Sequence, residues 1–473
     1  MSELQKLYDR IIQRVNINLR ELDFDAEPYS TGIILPEQMD KFYAFYGITT
    51  DHPLNLVFKN SGLAGSYFLG KCRVANSLLY KSDIRGDELK RKGSACHCQG
   101  FTIDLTEDEL IDIRDSALAK TLVHNFSHDP ETPEVFFIYD TLAMDYANIH
   151  GAPTDGAFLG PFATVDLTTV HDSIIGTYSY IQAVEISHIR IDPGTIWVHS
   201  PGNFNFYYRH DPDLLKQYAT VVSGDRPHGL IFDFIEEREE AFQRLFDAVN
   251  IEVLESVPET ASLDRYAVVL PKTTIADNVL ISQRAYLENS YLGKGSNAQE
   301  NCYIIHSKLE GFNVTAHGAK IIESDLERDV FVGFNSFLLG KKEARIHIGE
   351  GCIVMPHTII DVEEPLHISR DHLVWGLIRN NDDLQKNSIS LDELKAQKTG
   401  FSKGNLHFEG NGYLFVKGFK DRINHILDAN GAFFDGEKNT GHAQRNKNLS
   451  LNTIQPFQFG SMKGLYPNIT IEL

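Results

Sequence analysis

Between Ile275 and Gly340, aliphatic or small residues recur at steps of six, six and five, through Ile275, Ile281, Leu287, Leu292, Ala298, Ile304, Leu309, Thr315, Ile321, Leu326, Val332 and Leu338. One cycle adds up to seventeen residues, so Ile275, Leu292, Leu309 and Leu326 occupy equivalent places in successive cycles. A helix would return its apolar positions every three to four residues, and this stretch does not. A fixed period of this length is the mark of a solenoid whose repeats bury their apolar faces only against their neighbours. Each cycle is read as one coil of three short parallel strands.

The short third step has its own signature. It reads LENSYL, IIHSKL and IIESDL, which stacks Asn289, His306 and Glu323 in one column and Ser290, Ser307 and Ser324 in the next. The same grammar appears twice upstream. Over 55–86, Leu69, Val74, Leu79 and Ile84 recur at five, with Asn76-Ser77 and Lys81-Ser82 before the next aliphatic; over 152–203, Leu159, Ile175 and Ile191 stand sixteen apart.

Helical signals fill the intervals. Residues 1–54 read as helices and turns, with a first helix through about Leu19 and a second opening at Pro36, a residue suited to a first helical turn. Residues 87–151 read as a helical insertion. Thr106 and Glu109 form a capping box for a helix over 105–120, and 133–149 is open between strand and helix. A second insertion, 204–262, has one helix opening at Asp211-Pro212 and another carrying Ile231, Phe234, Ile235, Phe242, Leu245, Phe246 and Val249 at helical spacing. The main solenoid then spans 263–380, with the loop GKKEAR stretching one interval to twenty-two residues, and 381–473 forms an extension that caps the open end.

The phrases Leu292-Gly293, Asn278-Val279, Gly295-Ser296, Asn313-Val314, Gly318-Ala319, Val332-Gly333 and Asn335-Ser336 resemble those of the hexapeptide-repeat transferases. The stretch EEPLHISRDHLVWGLIRN is similar to the way those proteins end their solenoid, with Ile368, Leu373, Val374 and Gly376 in place and Ser369 where the family has proline. The resemblance implies a mainly β chain built on a left-handed parallel β-helix. It also implies a homotrimer with acyl-CoA, acetyl-CoA foremost, and a small-molecule acceptor lying between neighbouring prisms, and a histidine as general base.

Composition narrows the setting. Forty-four basic against 65 acidic residues give a formal charge of −21, which argues against nucleic acid or an anionic membrane as partner and against an anionic substrate unless a local basic pocket exists. Five cysteines without framework spacing fit a reducing compartment. The N-terminal helix lacks a signal-peptide core and no apolar run reaches bilayer length, so a cytoplasmic location is expected. Cys96-His97-Cys98 has no second pair and is not a zinc spacing. There is no P-loop or dinucleotide fingerprint, which leaves nucleotidyl transfer unsupported.

An attacking hydroxyl or amine must lose a proton, and imidazole serves this best near neutrality. His317 follows Thr315 by two beside Gly318-Ala319 and is expected to point outward with room for a ligand, which makes it the candidate catalytic base. His306 and Glu323 stack at one corner, as supporting residues or metal ligands or as a plain hydrogen-bonded ladder. Lys341, Lys342 and Arg345 rim the insertion loop as candidate binding residues. His171, His188 and His357 read as structural, and His442 and Arg445 as part of a polar Gly- and Asn-rich loop.

A second similarity, to the γ-class carbonic anhydrases, touches Asn313, Val314, Ala316 and His317, with His306 where an earlier zinc ligand lies. The last ligand is missing, since Ile322 stands there with Glu323 beside it. Acyl transfer to a sugar, nucleotide sugar or amine is therefore the leading expectation, ahead of a non-catalytic scaffold or regulatory subunit and of a zinc lyase.

Overall fold

In the computed structural model the described residues are 1–472 apart from 49–54, 99–100, 125–131, 243–256 and 447–448. The chain divides into two compact units: one of residues 1–195, 212–232 and 449–473, the other of 196–211 and 233–448. Each contains a parallel β-helix.

In the second unit the expected seventeen-residue register holds. Ile275 pairs with Leu292, Leu292 with Leu309, Leu309 with Leu326, then Leu326 with Ile348 across the twenty-two-residue interval. Leu292, Leu309 and Leu326 are at most 1% exposed and belong to one continuous core with Ile281, Leu287, Ala298, Ile304, Ile321 and Leu338, while Ile275 packs on its end half-buried. Burying each such side chain contributes about 1.5–3 kcal/mol, and stacking aliphatic on aliphatic supplies that burial once per face per coil.

The corners explain the polar columns. Lys272, Asn289, His306 and Glu323 all have positive φ, as do Asn278, Gly295, Phe312, Asp329, Gly351 and Asp371 at a second corner and Arg284, Asn301, Gly318, Asn335 and His357 at the third. A coil that turns this tightly needs a left-handed residue at each corner, which favours Gly, Asn and Asp. The serine after the turn satisfies buried backbone: the Ser307 N–H donates to Ser290 Oγ at 3.1 Å and the Ser324 N–H to Ser307 Oγ at 3.0 Å. The polar-then-Ser step is thus a turn followed by a hydroxyl ladder.

In the first unit the described strands of the two expected fragments belong to the same sheets. The segment 87–151 is not a helical insertion. Leu110–Arg114 and Ala117–Ala119 are strands that pair in parallel with Cys72–Ala75 and Leu78–Tyr80. The capping-box residues do other work: Thr106 Oγ1 donates to the Glu134 carboxylate at 3.1 Å, and Glu109 accepts the Lys90 N–H at 2.8 Å. Residues 133–149 resolve into the strands Val135–Tyr139, Leu142–Ala143 and Asn148–His150. Among the described residues, 87–98 and 101–109 leave the coil and carry the antiparallel hairpin of Ala95–Cys98 with Phe101–Asp104; the side chains of Cys96, His97 and Cys98 are outside the described set.

The N-terminal helix Glu3–Leu19 forms as expected, capped by Ser2. Its buried stripe of Leu4, Leu7, Ile11, Ile12, Val15 and Leu19 packs in one cluster with Leu78, Ala117, Leu142, Phe158 and Ile174 on the outside of one β-helix face. Residues 1–54 are not only helices and turns, because Ala44–Ile48 is a strand, and Pro36–Met39 makes a single helical turn. The last residues of the chain close the first coils: Ser450–Ile454 runs antiparallel to Ala44–Ile48, and Tyr466–Glu472 to Asn55–Ser61.

The remaining helical expectations are met in part. Short helices run over Pro212–Leu215 and Leu230–Glu236, although Phe204–Arg209 is a strand, and Leu245, Phe246 and Val249 lie outside the described residues. The extension holds helices Leu391–Ala396 and Gly412–Ala429, and Ser388–Ser390 pairs antiparallel with His372–Val374 at the end of the main coil, whereas Ser450–Ile454 and Tyr466–Glu472 belong to the first unit and not to a single cap over 381–473.

Candidate functional site

His317 sits in the second unit just before the corner glycine Gly318, whose φ is +74°. A Cβ at Gly318 would lie 2.1 Å from Asn335 Oδ1, so this corner admits only glycine without rearrangement. His317 Nδ1 lies 2.7 Å from Glu300 Oε2, the residue one coil before it, and both side chains are under 5% exposed. The expectation of an open, outward imidazole is corrected here: His317 is buried, with the Phe334 ring centred 5.3 Å away and the Arg422 guanidinium over that ring.

Lys320, three residues on, is also buried, at 2%. Its ammonium donates to the Gly318 carbonyl and lies 5.8 Å from the centre of the Tyr303 ring. Desolvation pushes its pKa down to about 7. A lysine at this position was not singled out by sequence, since strand position alone does not say which outward residues are covered.

His306 and Glu323 do stack as expected, with His306 Nδ1 at 2.8 Å from Glu323 Oε1. Arg345 completes that corner. Its Nε and Nη2 donate to Asp325 at 2.9 and 2.8 Å, Nη1 donates to Glu323, and Nη2 also donates to the His306 carbonyl at 3.1 Å. The guanidinium holds the Asp325 carboxyl below its usual range. Arg345 is therefore committed to structure, and of the basic trio Lys341 pairs with Glu363 while Lys342 is exposed.

This corner does not fit zinc. A guanidinium occupies the carboxylates, and among the described residues no set of three close donors includes His306 or Glu323. His357 is a buried corner residue whose carbonyl accepts from His210 Nε2 at 3.0 Å, and desolvation lowers the pKa of His210 to about 4.

The first unit contains a second imidazole pair that sequence reading missed. Arg85, His124, His150 and Asp166 stand in register on four successive strands of one face. Their inward neighbours Ile84, Val123, Ile149 and Val165 are fully buried, so this column projects outward. His150 Nδ1 lies 2.8 Å from Asp166 Oδ1, and the Tyr180 hydroxyl donates to the other carboxylate oxygen of Asp166. The rings of His124 and His150 are 5.2 Å apart, and Asp87 Oδ1 is 3.6 Å from His124 Nε2. The signal was available in the sixteen-residue spacing of His150 and Asp166. Reading 87–151 as a helical insertion leaves His150 just outside the coil block that begins at 152.

The hexapeptide-repeat family with its loop, described as "Hexapeptide repeat including loop", matches residues 101–223. A crystal structure of a "putative acetyltransferase" from Desulfovibrio desulfuricans G20 is similar throughout, with 50% identity over 100% of this chain and 99% of its own and a TM-score of 0.93. A Bacillus cereus chain described in the same words shares 13% identity over 36% of this chain and 93% of its own, at a TM-score of 0.20, too little overlap to bear on the fold. No curated protein matches the chain. No helix among the described residues is long and apolar enough to cross a membrane.

Proposed function

The chain belongs to the hexapeptide-repeat transferase superfamily, and on that premise we propose that it moves an acyl group from a CoA thioester to a hydroxyl or amine, with His317 as general base. The acceptor class is a sugar, nucleotide sugar or amine, and the working form is a homotrimer. The observation that carries the reading is the 2.7 Å contact between His317 Nδ1 and Glu300 Oε2. A carboxylate this close to the ring stabilises the imidazolium that forms when Nε2 takes a proton.

The step balances simply. Nε2 takes the acceptor's proton as its oxygen or nitrogen attacks the thioester carbonyl; the tetrahedral intermediate collapses, the C–S bond breaks, and the imidazolium returns the proton to the departing thiolate. Oriented general-base catalysis of this kind contributes about 10²–10⁴-fold.

A second assignment of the base has its own support. His150 Nδ1 is hydrogen-bonded to Asp166 Oδ1 at 2.8 Å, and its side chain is 13% exposed against 3% for His317, which favours access by an acceptor. Thiol release from acetyl-CoA with a panel of amines and sugars tests both. His317→Gln is expected to lower kcat by about 10²-fold or more with CoA binding retained. Loss confined to His150→Gln moves the base to His150, and no thiol release with any acceptor sinks the transferase reading in favour of a scaffold.

A further inference from the structure

The first unit contains a cavity of about 220 Å³ walled by aromatic rings and cations. Phe24 and Tyr29 stack at 5.4 Å and 13°, and Phe158 tilts against them at 4.8 and 5.7 Å. The Arg190 guanidinium lies 6.0 Å from the centre of Phe24, and Lys216, contributed by the segment 212–221, also lines the cavity. Phe24 and Tyr29 are only half-buried, so part of each ring is open to a ligand.

Two features set this cavity apart. Arg190 occupies the sixth position of an outward column whose earlier members are Leu78, Ala117, Leu142, Phe158 and Ile174. Five apolar residues pack there, and the sixth place, on the edge strand Arg190–Ile191, is given to an exposed cation. Charge is the other feature. The chain carries −21 overall, yet among the described residues no acidic side chain lines this cavity while two basic ones do. Lys216 shares its charge with Asp213 at 2.9 Å, but both are well exposed, and a pair of that kind holds its partners weakly. Local positive potential in a negative protein concentrates anions at that place.

We infer that this cavity binds a nucleotide, with the planar base against Phe24 and Tyr29 and the phosphate held by Arg190 and Lys216. Aromatic rings with a planar guanidinium are the groups that hold a base and its phosphate. The same chemistry arrives either on a free or sugar-linked nucleotide or on the adenosine end of CoA. The inference rests on the cavity alone and not on the acyl-transfer reading.

Isothermal titration calorimetry on the full chain with ADP, adenosine and CoA tests it. ADP is expected to bind about tenfold or more tightly than adenosine, and Arg190→Gln to remove that difference while changing adenosine affinity by less than about twofold. Arg190 is exposed, so the variant keeps its fold, and Lys216→Gln provides an independent check on the phosphate contact. Competition between ADP and CoA for one site assigns the cavity to the CoA nucleotide, and simultaneous binding of both assigns it to a separate nucleotide. Absence of ADP binding, or ADP affinity unchanged in both variants, overturns the proposal and leaves acyl transfer to be judged on its own assay.

Discussion

Asp166 stands one coil beyond His150 in the same register, with its Oδ1 2.8 Å from Nδ1 of the imidazole. Glu300 and His317 repeat the relation in the second unit in reverse order, the carboxylate one coil before the ring. In a parallel β-helix, two outward residues one period apart are held at contact distance by backbone pairing, so a histidine and a carboxylate at sixteen or seventeen residues make an oriented pair without a loop to position them. Asp166→Asn and Glu300→Gln each replace an acceptor with an amide that can donate to Nδ1, which moves the imidazole proton. The variant in the working pair should lower kcat by about 10²–10⁴-fold with little change in KM, and the other should stay within about tenfold of wild type. Equal, small losses in both would remove general-base catalysis by either pair.

How much of this was legible in sequence depends on which face a residue serves. The inward column from Ile275 to Leu326 could be counted because every member is aliphatic and the interval is constant. The corner column of Asn289, His306 and Glu323 was equally plain, since a left-handed turn recurs at each coil. The stretch 105–120 failed because Leu110, Ile111 and Ile113 are all buried along with Asp112, so strand alternation was hidden and a capping-box spelling won. His317 failed for a different reason: its outward direction follows from register, while its cover comes from residues distant in sequence, such as Phe334 and Arg422.

Two glycines separate crowding from helix propensity. A Cβ at Gly293 would lie 2.1 Å from the Glu310 carbonyl oxygen, part of the next coil's backbone, which cannot move without breaking the stack. Gly293→Ala should cost about 3 kcal/mol. Gly418 lies inside the helix Gly412–Ala429 with nothing among the described residues within 4 Å of an added Cβ, so Gly418→Ala should gain about 1 kcal/mol. Urea midpoints moving in opposite directions check the pair; a neutral Gly293→Ala would contradict the close approach of the coils.

The C-terminal strands should be indispensable to the first unit. The Tyr466 hydroxyl, in a residue 1% exposed, accepts the Ala44 N–H at 3.0 Å and donates to the Ile454 carbonyl at 2.9 Å. Tyr466→Phe leaves a buried N–H and a buried carbonyl short of a partner and should cost about 1–3 kcal/mol in chemical denaturation. Ending the chain at Asn448 uncovers the edges of Ala44–Ile48 and Asn55–Ser61, and size-exclusion chromatography should then show aggregation through exposed strands. A well-behaved species of unchanged size from that truncation would show that the terminal strands do not protect the fold.

Lys320 makes a prediction whose sign is fixed by its burial. The folded pKa is about 7 and the unfolded value 10.5, so between them the unfolded chain binds one proton more than the folded chain. Stability from this group therefore rises with pH from about 7 toward 10.5, by at most about 1.4 kcal/mol per pH unit, and is flat below 7, where both states carry the charge and the full cost of burying it. Lys320→Met keeps the length of the side chain, which packs over Tyr303, and removes the proton. Subtracting its urea-derived stability from that of wild type between pH 6 and pH 9 isolates the lysine from other titrations. The difference should close as pH rises above 7, with the methionine variant more stable at pH 6. A difference independent of pH across that range would mean that Lys320 is not desolvated as its 2% exposure implies.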